Sequence, residues 1–342
     1  MTLVNAVLDG DRLALARVLT QVENDTTDGR AALDSLFPHT GKAHLIGITG
    51  APGTGKSSLV NQLALYFRKS NKRVAIVAVD PSSPFTGGAV LGDRVRMKDL
   101  SGDSGVFIRS MASRGSIGGL AQATANVVQV FDAAGYDIIM IETVGAGQSE
   151  VDIAKLAHTT LVVEAPGLGD DIQAIKAGIL EIADIIVVNK ADRPGIENTE
   201  KALKSMLELA HPTQRVFIHH GAPHQLPPFS AKMGGEKEGG ESENNVWIPP
   251  LQRTIATEGK GIDELAQHIA KHGDYLRISG DWAVRERARL ESEVDAALQS
   301  ALMNRFRQRV SEDQLDKVMN QVFERSLSPS EAVNVLMNGS SK

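Results

Sequence analysis

Hydrophobic and polar positions follow different periods along this chain, and the changes of period divide it. Near the N-terminus Leu15, Val18, Leu19 and Val22 recur at i, i+3, i+4 and i+7, with Asp11 placed to cap the turn before them. Residues 1–40 are therefore expected to form a small helical segment. From 44 to 192 short apolar runs alternate with helical stretches. The runs are His44–Thr49, Val74–Val79, Val106–Ile108, Asp137–Ile141, Leu161–Val163 and Ile185–Val188. Several are unbroken and rich in β-branched residues, as strands covered on both faces are. This alternation predicts βαβ units and an α/β fold, a doubly wound and mostly parallel sheet.

Residues 211–250 break the pattern with His, Pro and Gly clusters, and the stretch GGEKEGGESENN reads as a mobile charged loop. LQRTIA, residues 251–256, offers a last strand. Beyond about 276 the strand signals cease. Leu290, Val294, Leu298, Leu302 and Phe306 recur every four residues, which predicts a long amphipathic helix. Ser311 to Gln314 and Ser328-Pro329-Ser330-Glu331 are capping boxes that open two more helices. The expected layout is a helical segment over 1–40, an α/β domain over 41–275 and a helical arm over 276–342.

Composition narrows the function. The 342 residues carry 36 basic and 42 acidic side chains, a net charge of −6, which lacks the bulk electrostatics of a general nucleic-acid binder. There is no cysteine, which excludes a disulfide scaffold, a thiolate metal site and a cysteine nucleophile. No apolar run approaches the ~20 residues that span a bilayer. The first residues, Met1-Thr2-Leu3-Val4-Asn5, do not read as a signal peptide. A cytoplasmic protein that contacts neither membrane nor nucleic acid is the expectation.

The chemistry is concentrated after the first strand. Gly50-Ala51-Pro52-Gly53-Thr54-Gly55-Lys56-Ser57 matches G-x-x-x-x-G-K-[ST], and Ser58 continues into a helical stretch. Glycines let the backbone curl until its N–H groups face phosphate oxygens, and the helix N-terminus adds its partial positive charge. Lys56 is placed to reach the β- and γ-phosphates and Ser57 to ligate Mg²⁺. The strand DIIVV ends in Asn189-Lys190-Ala191-Asp192, an N-K-x-D pattern. One carboxylate at Asp192 would accept both the N1–H and the exocyclic amine of guanine. Against adenine it would meet a bare acceptor, so GTP and GDP are the expected ligands. Ala256-Thr257 is the candidate second base loop, with a backbone N–H toward guanine O6.

Two further strands end in carboxylates, Asp80-Pro81 and Glu142-Thr143-Val144-Gly145, the latter an E-x-x-G in a D-x-x-G-like position. Carboxylates at strand ends beside a P-loop strand sit near the γ-phosphate and its metal. Between them the glycines around Asp93 suggest a switch, and Asp93 is placed to close on the metal with Ser57, Asp80 and Glu142. Arg94 and Arg96 read as solvated helix residues or as neutralisers of transition-state charge. No glutamine directly follows E-x-x-G, although Gln148 is close. Slow intrinsic hydrolysis, stimulated by whatever orders the switches, is the expectation.

The blocks GITGAPGTGKSSL, VAVDPSSPFTGGAVLGDRVRM, GYDIIMIETVGAGQSE, GLGDDIQAIKAGILEIADIIVVNKAD and RLESEVDAAL…SLSPSEAVNVLM resemble P-loop GTPases of the MeaB/ArgK type. These are GTPase chaperones of adenosylcobalamin-dependent acyl-CoA mutases, chiefly methylmalonyl-CoA mutase. The resemblance runs from about 3 to 337 and is weakest over 211–250. It implies a homodimer through the C-terminal helices, GTP-gated delivery of adenosylcobalamin and protection or reactivation of the mutase. It also implies a third switch over 166–178, with Gln173 and Lys176 responding to the mutase. The chain departs from the family at Arg109-Ser110-Met111-Ala112-Ser113-Arg114-Gly115, which brings the charge of Arg114 toward the switches. A metallochaperone of the nickel-insertion class shares the fold but needs a ligand cluster, for which only His219, His220 and His224 are concentrated. A kinase of a transport component would need a phospho-acceptor site, and nothing in the chain argues for one.

Overall fold

The computed structural model describes residues 2–81, 97–100, 102–113, 119–143, 149–167, 180–210, 215–219, 222–226 and 246–338. The chain divides into two compact units, residues 1–286 and 287–342.

The first unit is built on strands β1 (His44–Thr49), β2 (Val74–Pro81), β3 (Val106–Ser113), β4 (Ile138–Thr143), β5 (Thr159–Glu164) and β6 (Ile185–Val188). A short pair, β7 (Arg215–His219) and β8 (Ala222–Leu226), precedes β9 (Leu251–Arg253). β1 to β6 and β9 form one sheet in the order β3-β2-β4-β1-β5-β6-β9, and every neighbouring pair is parallel. The apolar runs explain this. Period-two geometry sends Leu45, Val77 and Ile139 to one face and Ile46, Ile76 and Met140 to the other, and both faces are core.

Helices fill both sides. On the first face lie α1 (Leu3–Leu8), α2 (Arg12–Glu23), α3 (Thr27–Leu36), α5 (Gly119–Ala133) and α6 (Ser149–Leu156), which join Leu45, Val77 and Ile139 in one core. On the second lie α4 (Lys56–Lys69) and α8 (Ile262–Ser279), through Leu59, Leu63, Leu265 and Ile269. α7 (Ile196–Ala210) covers β5 and β6 with Leu203 and Leu207. The expected helical segment at the N-terminus is thus three helices. Asp11 caps α2 by accepting from Leu13 N and Ala14 N at 2.7 and 2.9 Å. Arg12 donates to the carbonyls of Ser104 and Val106 at the outer edge of β3, at 3.0 and 2.8 Å. The 211–250 stretch, where the alternation breaks, contains the antiparallel β7–β8 pair, which lies before GGEKEGGESENN.

A break at Gly280, with φ +83°, separates α8 from α9 (Asp281–Arg309), and the first unit ends inside α9 at residue 286. α8 belongs with the sheet because Leu276, near its end, is fully buried. In the second unit α9 continues, followed by α10 (Glu312–Phe323) and α11 (Pro329–Asn338). Ser311 Oγ accepts from Gln314 N, and Ser328 with Glu331 forms a reciprocal box. Along α9 the side chains of Val294, Leu298 and Leu302 are more than half exposed. No helix among the described residues is long and apolar enough to cross a membrane.

Candidate nucleotide site

In a parallel sheet all strands point one way, so the loops leaving β1, β4, β6 and β9 gather beyond their carboxyl ends. The loop after β1 begins at Gly50, φ +136°, where an added Cβ would lie 2.0 Å from Val163 O of β5. It ends at Gly55, φ +94°, where a Cβ would lie 2.4 Å from Asn189 Nδ2. Only glycine lets the chain pass both places. Inside the curl Lys56 is buried, and its Nζ donates to Gly50 O at 2.8 Å and Ala51 O at 3.1 Å. Thr54 Oγ1 donates to Ala51 O at 3.0 Å. The ammonium therefore shapes the loop from within. Ser58 is exposed on the first turn of α4.

Ser57 Oγ donates to Glu142 Oε1 at 2.7 Å, and Glu142 is buried at the end of β4, beside β1. A hydroxyl and a carboxylate oxygen in contact are hard oxygen donors suited to Mg²⁺. Thr143 Oγ1 donates to Thr49 Oγ1 at 3.2 Å, which fixes the two strand ends against each other.

The base loop is joined to the phosphate loop. Asn189, fully enclosed after β6, donates from Nδ2 to Thr54 O at 2.9 Å. Its Oδ1 accepts from Thr254 Oγ1 and Ala256 N, both at 3.1 Å. Lys190, held at φ +56°, donates from Nζ to Gly53 O at 2.6 Å. Asp192 and Thr257 are exposed, and Ala191 N donates to Thr254 O at 3.1 Å, which joins the loops that carry them. Within the candidate base loop Ala256-Thr257, the Ala256 amide is given to Asn189. A backbone cradle, a lysine, a helix N-terminus and an exposed carboxylate at one rim fit a purine nucleotide.

Residues 15–311 match the family described as methylmalonyl Co-A mutase-associated GTPase MeaB. The chain belongs to this family. It is 42% identical over 335 residues to a Pyrococcus horikoshii protein with a GTPase designation, covering 98% of this chain and 96% of that one. It is 34% identical to the Escherichia coli GTPase ArgK, covering 81% and 77% of the two chains. It is 28% identical to the mouse mitochondrial methylmalonic aciduria type A homolog, covering 98% and 78%. Among solved structures, one of an LAO/AO transport system kinase superposes with TM-score 0.66 at 25% identity, covering 98% of this chain and 95% of that one. MeaB-family membership makes this chain kin to GTPases and accounts for the P-loop and N-K-x-D loop together.

Of the residues expected at the MeaB-type site, Gly50 to Ser57, Glu142, Asn189 and Lys190 stand together. Asp93, Gln173, Lys176, Gln148, Arg94, Arg96 and Arg114 lie outside the described residues, and so does the side chain of Asp80. The side chains of His219, His220 and His224 lie outside them as well, and among the described residues no group of three His, Asp or Glu is placed to hold a metal. Thr254 was not legible, since one threonine in LQRTIA carries no spacing signal.

A second polar cluster, also not foreseen, sits at the opposite ends of the strands. Thr159 Oγ1 lies 2.7 Å from His44 Nε2 and 2.9 Å from His272 Nδ1, and His272 Nε2 lies 3.3 Å from Asp184 Oδ1. His158 Nδ1 accepts from Leu45 N at 3.1 Å, so its protonated Nε2 faces Glu286 Oε2 at 3.0 Å. Trp282 stacks on His158 with centroids 3.9 Å apart. Burial, with the neighbouring positive groups, pushes His44 down to about 3. Burial pushes the Asp184 carboxyl up, but bonds from His272 and Arg285 prevail and hold it at about 2. The members come from positions 44, 158, 159, 184, 272 and 282 to 286, scattered too widely for sequence spacing to join them.

Proposed function

We propose that this protein binds and hydrolyses GTP as a chaperone of an adenosylcobalamin-dependent acyl-CoA mutase of the methylmalonyl-CoA mutase type, gating cofactor delivery and protecting or reactivating the mutase. The observation that carries the nucleotide part is Asn189, which joins Thr54 of the phosphate loop to Thr254 and Ala256 of the base loop. That brace sets phosphate and base subsites at a fixed separation. The family description, mutase-associated GTPase, supports the client class.

In this reading the amides of the Gly50–Ser57 loop other than Pro52, which has none, and Thr54, which donates to Ala51 O, take the phosphates, and Lys56 leaves its loop carbonyls for the β- and γ-oxygens. Asp192 accepts from guanine N1–H and the exocyclic amine, and Thr257 supplies the amide toward O6 that Ala256 does not. Ser57 and Glu142, with Asp80 and Asp93, would hold Mg²⁺, which supplies neutralisation of phosphate charge. Gln173 and Lys176 would respond to the mutase, so turnover is slow alone and stimulated by the partner. The exposed stripe Val294, Leu298 and Leu302 is assigned to a second copy of the chain, giving a homodimer. The compartment assigned is the cytoplasm.

Calorimetric titration in magnesium buffer tests the nucleotide part: GDP should bind and ADP should not. Equal uptake of both, or uptake of neither, overturns it. Capture of purified mutase in the presence of a non-hydrolysable GTP analogue but not GDP tests the client, and capture in neither state removes it.

A further inference from the structure

β6 is a four-residue rod with a fixed attachment at each end. At its start Asp184 is gripped in a fork by Arg285, whose two terminal nitrogens donate to Oδ2 and Oδ1, each at 2.8 Å. The same guanidinium donates to His158 O at 2.7 Å, just before β5 begins. Asp184 Oδ2 also accepts from Thr160 N at 2.8 Å, and its carbonyl accepts from Trp247 Nε1 at 2.8 Å. At the other end stands Asn189, the brace between the phosphate and base loops. Between them Ile185 to Val188 are fully buried and paired with β5 on one side and β9 on the other.

Extended backbone rises about 3.3 Å per residue, so the two ends are about 16 Å apart. A strand laddered on both sides cannot stretch or tilt without breaking hydrogen bonds. A shift of Asp184 is then delivered to Asn189, and through it to Thr54 and Ala256. Arg285 is supplied by α9, the helix that runs on unbroken to Arg309.

We infer that Arg285 and Asp184 form a positioning pair for the nucleotide site, by which the seating of the start of α9 sets guanine-nucleotide affinity. The inference rests on the guanine reading above and adds its regulation. The pair touches no nucleotide; it acts through β6 on Asn189. By reciprocity, nucleotide binding tightens the fork to the same degree.

The test uses the full chain and a fluorescent GDP analogue, with melting temperature measured in parallel without nucleotide. Arg285→Met keeps the stem and removes the fork. It is expected to weaken GDP binding about fivefold or more, with Arg285→Lys in between. Arg73→Met is the control. Arg73 donates to Ala134 O at 2.7 Å and lies over the Tyr136 ring, a tie of the same kind remote from β6. It should lower the melting temperature and leave GDP affinity within about twofold of wild type. GDP affinity unchanged in Arg285→Met, or lost equally in Arg73→Met, overturns the inference while leaving the guanine reading intact. Wild-type protein that takes up no GDP overturns both.

Discussion

In the proposed reading an exposed carboxylate and a buried ammonium divide the work of the nucleotide site. Asp192 stands at the rim, where its charge is compatible with water until a base covers it. Replacing it by Asn turns one acceptor into a donor that opposes the exocyclic amine of guanine and suits the carbonyl that stands in its place in xanthine. Asp192→Asn is expected to lower kcat/KM for GTP about 10- to 100-fold and raise that for XTP, measured by phosphate release; an unchanged ratio refutes the base assignment. Lys56 is different in kind, because two carbonyls hold it inside the loop before any phosphate is present. Lys56→Ala removes both the brace of the curl and the charge that meets the γ-phosphate. Hydrolysis is expected to fall by about 100-fold or more. Near-normal turnover in that variant would remove the P-loop from the mechanism.

At the scale of elements, the β1–α4 loop crosses the β6 loop with no room for a side chain at Gly55. Gly55→Ala would drive a methyl into the Asn189 amide at a backbone angle that side chains rarely adopt. It should cost about 1–3 kcal/mol of stability and most of the GDP affinity, read by chemical denaturation and calorimetry. Wild-type values in both would mean that the brace is dispensable. The strands themselves were legible as apolar runs, and His44–Thr49 and Ile185–Val188 match β1 and β6 at both ends. β2 and β3 run further than their apolar runs, to Pro81 and Ser113, because hydropathy fades where pairing does not: Asp80 and Pro81 still register with Ala112 and Ser113. Within β3, Arg109 reads as polar, yet it is satisfied by the Glu23 carboxylate and Thr20 of α2. The curl of the P-loop was legible because backbone curvature dictates glycines at fixed spacing, and Asn189-Lys190 was legible as a motif at a strand end. Thr254 and the Asp184 cluster were not, because contacts between distant segments leave no period to read.

For the whole molecule, the polar cluster beneath the strands sets how the protein meets acid. Folded His44 takes up a proton only near 3, whereas in the unfolded chain it does so near 6.5. Its contribution is complete above 6.5 and is lost as pH falls toward 3. Asp184, held at about 2 against an ordinary 3.8, adds stability that disappears only below 3.8. Melting temperature should therefore fall steadily from pH 7 to 4, and His44→Gln, though less stable at pH 7, should fall less steeply. A flat profile for wild type over that range would contradict the burial of a neutral histidine there.

The two margins of the seven-stranded sheet are blunted by different means. At β3 a guanidinium from α2 sits on the outward carbonyls of Ser104 and Val106. At β9 only three residues are extended, they follow Pro249-Pro250, and Gln252 Nε2 occupies the Arg253 carbonyl at 2.9 Å. The guanidinium blocks the first outward carbonyl of β3 and the brevity of β9 leaves few open main-chain groups there, so each rim is a poorer template for strand addition. Growth of cross-β fibres from the sheet of the folded protein is thereby disfavoured at both margins.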